Sequence, residues 1–379
     1  MISQTVLDKL EYSKILEYIS RYTSTENGKK LILSHLPLLD RKEIIKQGAY
    51  VTEAKEILIK YDIPPINYIP DLNDRLAKSS ISGVILDQKS IHEILNLAVT
   101  SRRLFQFLTN NDDDYSLKRE LGSDLFVDKV FEKHIASVFD EKGDIRDNAT
   151  RELATIRRDI RDKNDQLRKV VGKILKKMSE LLLVQEDYIT QREGRIVIPV
   201  KAEHKRKVKG FIHSESATGQ TVYIEPEETL ELNNEILSLS FAEKREIDKI
   251  LKGLTEKIGE VSPQLRNSLR KISEIDTVFA KAKYSTEIIG SFPDMDEKKP
   301  FSIMDGRHPI LIKKLGRGKT VPLNLEIRTD NVVLITGPNA GGKTVVLKTT
   351  GLFILMVMSG IHIPANPDSN FHFFFKSAC

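Results

Sequence analysis

Eight consecutive residues, Gly337-Pro338-Asn339-Ala340-Gly341-Gly342-Lys343-Thr344, have the types and spacing of a phosphate-binding loop. Glycines at 337, 341 and 342 permit a tight turn in which backbone N–H groups close on phosphate oxygens, at a helix N-terminus that carries partial positive charge. Lys343 then reaches the β and γ phosphates, and the Thr344 hydroxyl ligates magnesium. ATP and magnesium are therefore the expected cofactors, held by residues 337–344. The bland alternative, a glycine-rich turn with a chance lysine, is disfavoured by the flanks. Residues 331–336 form a β-branched run expected as a buried parallel strand, and 345–358 is an apolar stretch suited to a core helix.

Hydrolysis needs more: a second buried strand ending in an acidic residue that holds magnesium, and a carboxylate that orients water. Only 35 residues follow Thr344, and they contain one acidic residue, Asp368, in a Pro- and Asn-rich stretch. The tail 371–379 is an aromatic cluster with no signal for a further core element. The expectation is an incomplete ATPase, binding nucleotide weakly with negligible turnover.

The elements that must position this loop are mostly helical. At 379 residues, with 40% hydrophobic and 30% charged residues, the composition is that of a soluble, helix-rich protein of two or three domains. No run reaches membrane-span length, no signal peptide opens the chain, and the one cysteine, Cys379, precludes an internal disulfide, so a cytoplasmic setting is expected. The eight histidines are dispersed, without a metal-ligand pair or a nucleophile elbow. His308 reads as structural or nucleotide-proximal.

Residues 1–148 read as a helical core of short helices, with helical periodicity over 6–22, 41–61 and 87–108. A lever or clamp arm is expected over 149–260. Its first helix, about 149–188, carries a heptad seam from Leu153 through Leu167 and Val171 to Leu181, with Asn148 or Thr150 able to cap it. Its second, about 226–259, opens at Pro226 and has a matching seam, so the two form an antiparallel hairpin. Between them, 189–225 is a small β tip in which 195–200 is an edge strand, Pro199 barring a central place. The chain returns to helical core over 261–289, and an α/β P-loop domain begins near Gly290 with strands at 301–304, 309–312 and 321–325. The fold class is thus a multidomain, mainly α protein with a long antiparallel arm bearing a β tip, followed by the start of an α/β NTPase domain.

Charge is uneven. Residues 151–210 hold 17 Lys or Arg against 9 Asp or Glu, an excess of eight, while the whole chain nets +5. Much of that on the first arm helix suits a solvated helix face. Lys201, Lys205, Arg206, Lys207 and Lys209 instead cluster in the tip and are the candidate contacts to a polyanion backbone. Phe211 and Tyr223 are the only aromatics near them, too few for a single-strand stacking platform.

These features converge on a resemblance. Thr336 through Thr344 is similar to the TGPN-x-GGK-[ST] loop of the MutS family, and Asp305-Gly306-Arg307-His308-Pro309 with Val321-Pro322-Leu323-Asn324 resembles the segments that precede it there. Residues 194–203, 216–221 and 224–226 resemble the β segment of the bacterial branch that lacks a mismatch-recognition domain and suppresses recombination. The likeness extends from Leu10-Glu11-Tyr12 to about Pro364. It implies a DNA-binding ATPase that dimerises and closes on duplex or branched DNA, with a nuclease domain in full-length relatives, or, in some members, acts on stalled ribosomes and their RNA. Three departures stand out. Phe139-Asp140-Glu141 matches a wedge tripeptide but lies in a turn before the arm. Gly318 and Lys319 stand where mismatch-repair members place an adenine-stacking aromatic. The acidic strand, signature loop and nuclease domain are expected beyond Cys379, so a truncated, functionally silent product is the remaining alternative.

Overall fold

A computed structural model describes residues 2–61, 63–109, 115–184, 188–192, 194–328, 333–336 and 342–373. It is mostly helical, with a long helix and small antiparallel sheets. In chain order come α1 (Gln4–Lys9), α2 (Tyr12–Ser20), α3 (Glu26–Leu33), α4 (Arg41–Lys60), α5 (Asn73–Ser79), α6 (Gln88–Thr109), α7 (Ser116–Leu121), α8 (Lys129–Ala136) and α9 (Arg151–Glu180). Strands β1 (Thr190–Arg192), β2 (Arg195–Lys201), β3 (Gly210–Glu215) and β4 (Thr221–Pro226) follow, then α10 (Leu230–Glu287), β5 (Phe301–Gly306), α11 (Pro309–Leu315), β6 (Leu323–Ile327) and α12 (Lys343–Val357). The chain divides into two compact units, the first from Met1–Ser80, Glu93–Glu132 and Gly259–Cys379, the second from Ile81–His92 and Lys133–Ile258.

The first unit is built around α12 and the C-terminal part of α10. Leu265, Leu269, Ile272, Ile275 and Phe279 recur at helical spacing and are buried, the apolar stripe expected of a core helix. Tyr12, Ile15 and Ile19 of α2 join Leu352, Phe353 and Met356 of α12 in one core. Local chemistry fixes the helix starts: the Asp40 carboxylate accepts from the N–H groups of Lys42 and Glu43, and Thr25 Oγ1 from Gly28 N–H.

In the second unit, Thr150 caps α9 by accepting from Leu153 N–H and donates to Glu246. Arg157 pairs with Glu243 and Lys163 with Glu235, so partners on α10 fall in number as those on α9 rise, the signature of antiparallel packing. The sheet order is β1-β2-β4-β3, all antiparallel. Val200, Val222, Ile198 and Ile224 of this sheet cover Leu167 and Val171 of α9.

Several sequence expectations are corrected. The helix read over 6–22 breaks at Glu11, which takes a left-handed φ of 58°. The first arm helix ends at Glu180, short of 188: Leu182 turns with a φ of 59°, and Leu183 and Val184 pair with the β2 strand, Lys201 N–H donating to Leu183 O. Pro226 ends β4 and caps a single 3₁₀ turn, Glu227–Thr229, that runs into α10 at Leu230, so the α-helix itself opens four residues later than expected. The helices expected over 226–259 and from 262 are one, α10, which carries Pro263 in its interior. Gly259 sits where a Cβ would meet Ser79 O at 2.5 Å, and Ser262 Oγ donates to Leu76 O, so docking onto α5 holds the helix through the proline.

β2 is an interior strand, not an edge, yet Pro199 is tolerated. Among the described residues β1 pairs with Arg195 to Val197, Val184 bridges to Val200, and the partner of Pro199 is Tyr223 of β4. Residues 309–312 are helical, not a strand; Pro309 occupies the first helical position, where its fixed φ suits a helix start. No parallel strand forms among the described residues. β5 and β6 pair antiparallel, and 333–336 is irregular and exposed, Leu334 at 84%. A buried parallel strand needs hydrogen-bonded neighbours and cover on both faces, and 333–336 has no strand neighbour among the described residues. The expected beginning of an α/β NTPase domain is therefore represented here by α12 and an antiparallel pair.

Candidate nucleotide site and basic tip

Of the eight loop residues, Gly337, Pro338, Asn339, Ala340 and Gly341 lie outside the described residues. Gly342, Lys343 and Thr344 are described. Gly342 has a left-handed φ of 83°, the conformation that glycine adopts without penalty, and it precedes the first turn of α12. Among the described residues no side chain caps that turn and no acidic residue sits in it, so it presents N–H groups and the positive end of the helix dipole. Thr344 is exposed and Lys343 half-buried.

The helix is held from its other end. Leu352, Phe353, Leu355, Met356 and Val357 are buried, each contributing about 1.5–3 kcal/mol by removal from water, whereas Thr344, Val345 and Leu347 near the start are exposed. Past its last turn, Leu38 N–H donates to Met358 O at 2.8 Å, and the Lys281 ammonium to Ser359 O at 2.8 Å. An anchored C-terminal half and an open first turn are what a helix needs to offer its N-terminus to a ligand.

A cavity of about 490 Å³ adjoins that first turn. Gly342, Val345 and Val346 form one wall, His308 and Leu311 of the α11 segment another, and Lys319 to Leu323 a third. The apolar lining with few polar groups, and the volume, suit a heterocyclic base. The third wall is pinned by a motif that sequence reasoning tied to the loop only by resemblance. Arg307 donates to Arg317 O at 3.0 Å, to Thr320 O at 2.9 Å and to Asp305 Oδ1 at 2.8 Å, while Asp305 N–H donates to Asn324 Oδ1. Thr320 Oγ1 closes the turn onto Gly316 O. Gly306 is required by space: a Cβ there would lie 2.5 Å from Ile303 Cγ2 and 2.9 Å from Phe353 Cε2.

His308 is buried, and its Nδ1 has no hydrogen-bond partner among the described residues. Burial holds its imidazole below the ordinary range, with Glu11 opposing and Lys348 adding to the shift, so it is a neutral group at the cavity wall. Lys319 lies in the lining at the place where the resemblance would put an aromatic, and the wall beside it is aliphatic, with Val321, Pro322 and Leu323. The arrangement fits a magnesium nucleotide: a hydroxyl exposed at Thr344, an uncapped helix start, and a cavity beside both. Among the described residues no cluster of His, Cys, Asp or Glu could hold a metal ion by itself.

In the second unit, the five tip cations follow the connection from β2 to β3, from Lys201 opposite Thr221 at one end of β4 to Lys209, whose carbonyl accepts from Glu227 N–H, at the other. Lys201 ends β2, a 3₁₀ turn carries Lys205, Arg206 and Lys207, and Lys209 precedes β3. All but the half-buried Lys201 are exposed, while Val208 is buried beneath them. Lys205 approaches Glu215 at 3.8 Å, an exposed pair worth little in water. The platform itself is rigidly tied. Glu225, 1% exposed, accepts from Arg195 at 2.8 Å and Asn233 at 2.8 Å and lies 2.5 Å from His213 Nε2, while Asn233 Oδ1 accepts from Ile196 N–H. Buried Glu225 was not singled out from sequence; its partners come from three segments, β2, β3 and α10, and no spacing announces them. Phe211 stands 66% exposed on β3. Among the described residues no helix is long and apolar enough to cross a membrane.

Comparison with known proteins finds similarity along nearly all of the chain. An Endonuclease MutS2 of Clostridioides difficile (strain 630) is 35% identical over 372 residues, 97% of this chain and 46% of that protein. The Endonuclease MutS2 of Clostridium botulinum (strain Alaska E43 / Type E3) is 34% identical over 368 residues, and that of Pelotomaculum thermopropionicum 33% over 374. The chain spans about half the length of these curated relatives. No protein-family model matches it.

Proposed function

Over 97% of its length this chain is a MutS2-type sequence, and on that premise we propose that it is the nucleotide-sensing and DNA-gripping part of a MutS-family DNA-binding ATPase. ATP binds with its phosphates at residues 337–344 and its base in the cavity beside α12. Lys343 neutralises the β and γ phosphates and the Thr344 hydroxyl takes one position on magnesium, whose charge offsets that of the phosphate oxygens. Lys201, Lys205, Arg206, Lys207 and Lys209 contact the backbone of duplex or branched DNA without reading bases. Suppression of recombination follows from occupying such branched structures, with ATP controlling the grip.

The observation that carries this reading is the coincidence of Lys343 and Thr344, at an open helix start, with a base-sized cavity. Anisotropy of a labelled duplex across a salt series, with and without ATP and magnesium, tests it. Affinity should fall steeply with salt and change with nucleotide. Binding indifferent to both salt and nucleotide contradicts the reading.

A further inference from the structure

The first unit carries another polar groove, of about 710 Å³, which no part of the reading so far uses. Its walls include Asn27 and Lys30 of α3, Asn73 of α5, and Pro263, Arg266 and Arg270 of α10. The two helices are locked beside one another from below: the Asp276 carboxylate on α10 accepts from Ser24 N–H at 3.0 Å, Thr25 N–H at 2.8 Å and Thr25 Oγ1 at 2.8 Å, at the start of α3. The groove is therefore preformed.

Its charges are unequally satisfied. Lys30 pairs with Asp71 at 2.7 Å, and Arg270 with Glu274 at 2.6 Å and Asn267 at 2.8 Å. Both cations are more than half exposed, and pairs of that kind contribute only about 0–1 kcal/mol, so either can turn to a stronger anion at small cost. Arg266 is exposed and has neither ion pair nor hydrogen bond among the described residues, and the Asn27 carboxamide likewise has none. Arg266 and Arg270 are one helical turn apart, about 6 Å along the axis. Leu31 and Pro263 are the only nonpolar residues in the lining; the other nine are polar or charged, with Asp71 the one carboxylate beside the cations Lys30, Arg266 and Arg270. Free guanidinium and amide donors, with movable cations beside them, match phosphate oxygens.

We propose that this groove is a second backbone-binding site for duplex DNA, in which Arg266 takes a phosphate directly and Asn27, Lys30 and Arg270 support it. The assignment rests on the DNA-binding reading above. Salt-dependent anisotropy with a labelled duplex tests it, comparing the unaltered chain with Arg266→Gln, Arg266→Glu and the tip variant Lys205→Glu/Lys207→Glu. Arg266 is exposed and unpaired, so its variants should fold, which circular dichroism checks. Arg266→Gln should weaken duplex binding alike for different sequences and make the slope of log affinity against log salt shallower by about 1, and Arg266→Glu should weaken it further. If the tip variant loses affinity while both Arg266 variants keep affinity and slope, this assignment is overturned and the DNA reading stands. If no variant changes anything, both fall. Loss of affinity for an RNA hairpin with unchanged duplex binding also overturns it.

Discussion

The Lys281 ammonium, 3% exposed on α10, donates to Ser359 O at 2.8 Å, at the C-terminal end of the helix whose other end carries Lys343 and Thr344. A cation at that end complements the helix dipole, and Tyr12 Oη, 2.6 Å from Ser359 Oγ, holds the same turn. The cost is a buried charge with no carboxylate beside it among the described hydrogen bonds and ion pairs; burial lowers its pKa from 10.5 to about 8. The folded state thus resists protonating Lys281. The penalty is fully present below pH 8 and vanishes as pH rises towards 10.5, about 3 kcal/mol across that window. Urea unfolding of the unaltered chain and Lys281→Met at pH 7.5 and 10 should show a gain at high pH that the variant lacks. Equal pH dependence in the two removes the account of Lys281.

His362 makes the opposite end of the pH range sensitive. It is buried between Ser285 Oγ at 2.8 Å and Thr52 Oγ1 at 3.2 Å, and burial pushes it from 6.5 to about 4. The unfolded chain binds a proton below pH 6.5 that the folded chain refuses until about pH 4, so stability is lost as pH falls through that interval, by about 3 kcal/mol for this residue. His35, pushed down to about 3 by burial, acts in the same direction. His362→Gln should flatten the fall in urea midpoint between pH 7 and 4.5, and an unaltered fall would show that other groups govern it.

Arg307 is a positioning residue for the base cavity, since it acts through Arg317 O and Thr320 O. Arg307→Lys keeps the charge and loses the fork that reaches both carbonyls. It should weaken binding of adenosine and ATP by the same several-fold factor, about 1 kcal/mol, because the base wall loosens while the phosphate loop is untouched. A loss confined to ATP would place its role at the phosphates instead.

The contrast between α12 and its approach shows what sequence could disclose. The apolar run 345–358 forced a core helix, and Thr150 was a legible cap, because both depend on neighbours close in sequence. The strand reading of 309–312 failed because an apolar tetrapeptide carries no periodicity of its own; Pro309 at a helix start decided it. Pro263 and Gly259 looked like a boundary, yet α10 runs through them because Leu76 and Ser79, some 180 residues away in sequence, supply the docking. The tail was read as lacking a core element, but Phe371 is buried 4.9 Å from Phe301, and Asn370 fastens the chain to Asp296 and Pro300. At the candidate site the loop residues were legible as a motif. The segments 305–309 and 321–324 were legible only by resemblance, and the way Arg307 pins the cavity wall was not, since it depends on carbonyls reached only after the chain turns back.

Thr344→Ala separates magnesium from phosphate. With its hydroxyl gone, affinity for ATP in the presence of magnesium should drop to about the level measured in EDTA, while affinity for the metal-free nucleotide stays within about twofold. A variant that still gains affinity from magnesium would show that Thr344 is not a ligand.

The most direct measurement is titration of a fluorescent ATP analogue into the purified chain and into Lys343→Ala. The account predicts saturable binding that weakens at least about tenfold in the variant, a difference of about 1.4 kcal/mol. Equal binding by both, or none by the unaltered chain while it remains folded, would contradict a nucleotide site at the start of α12.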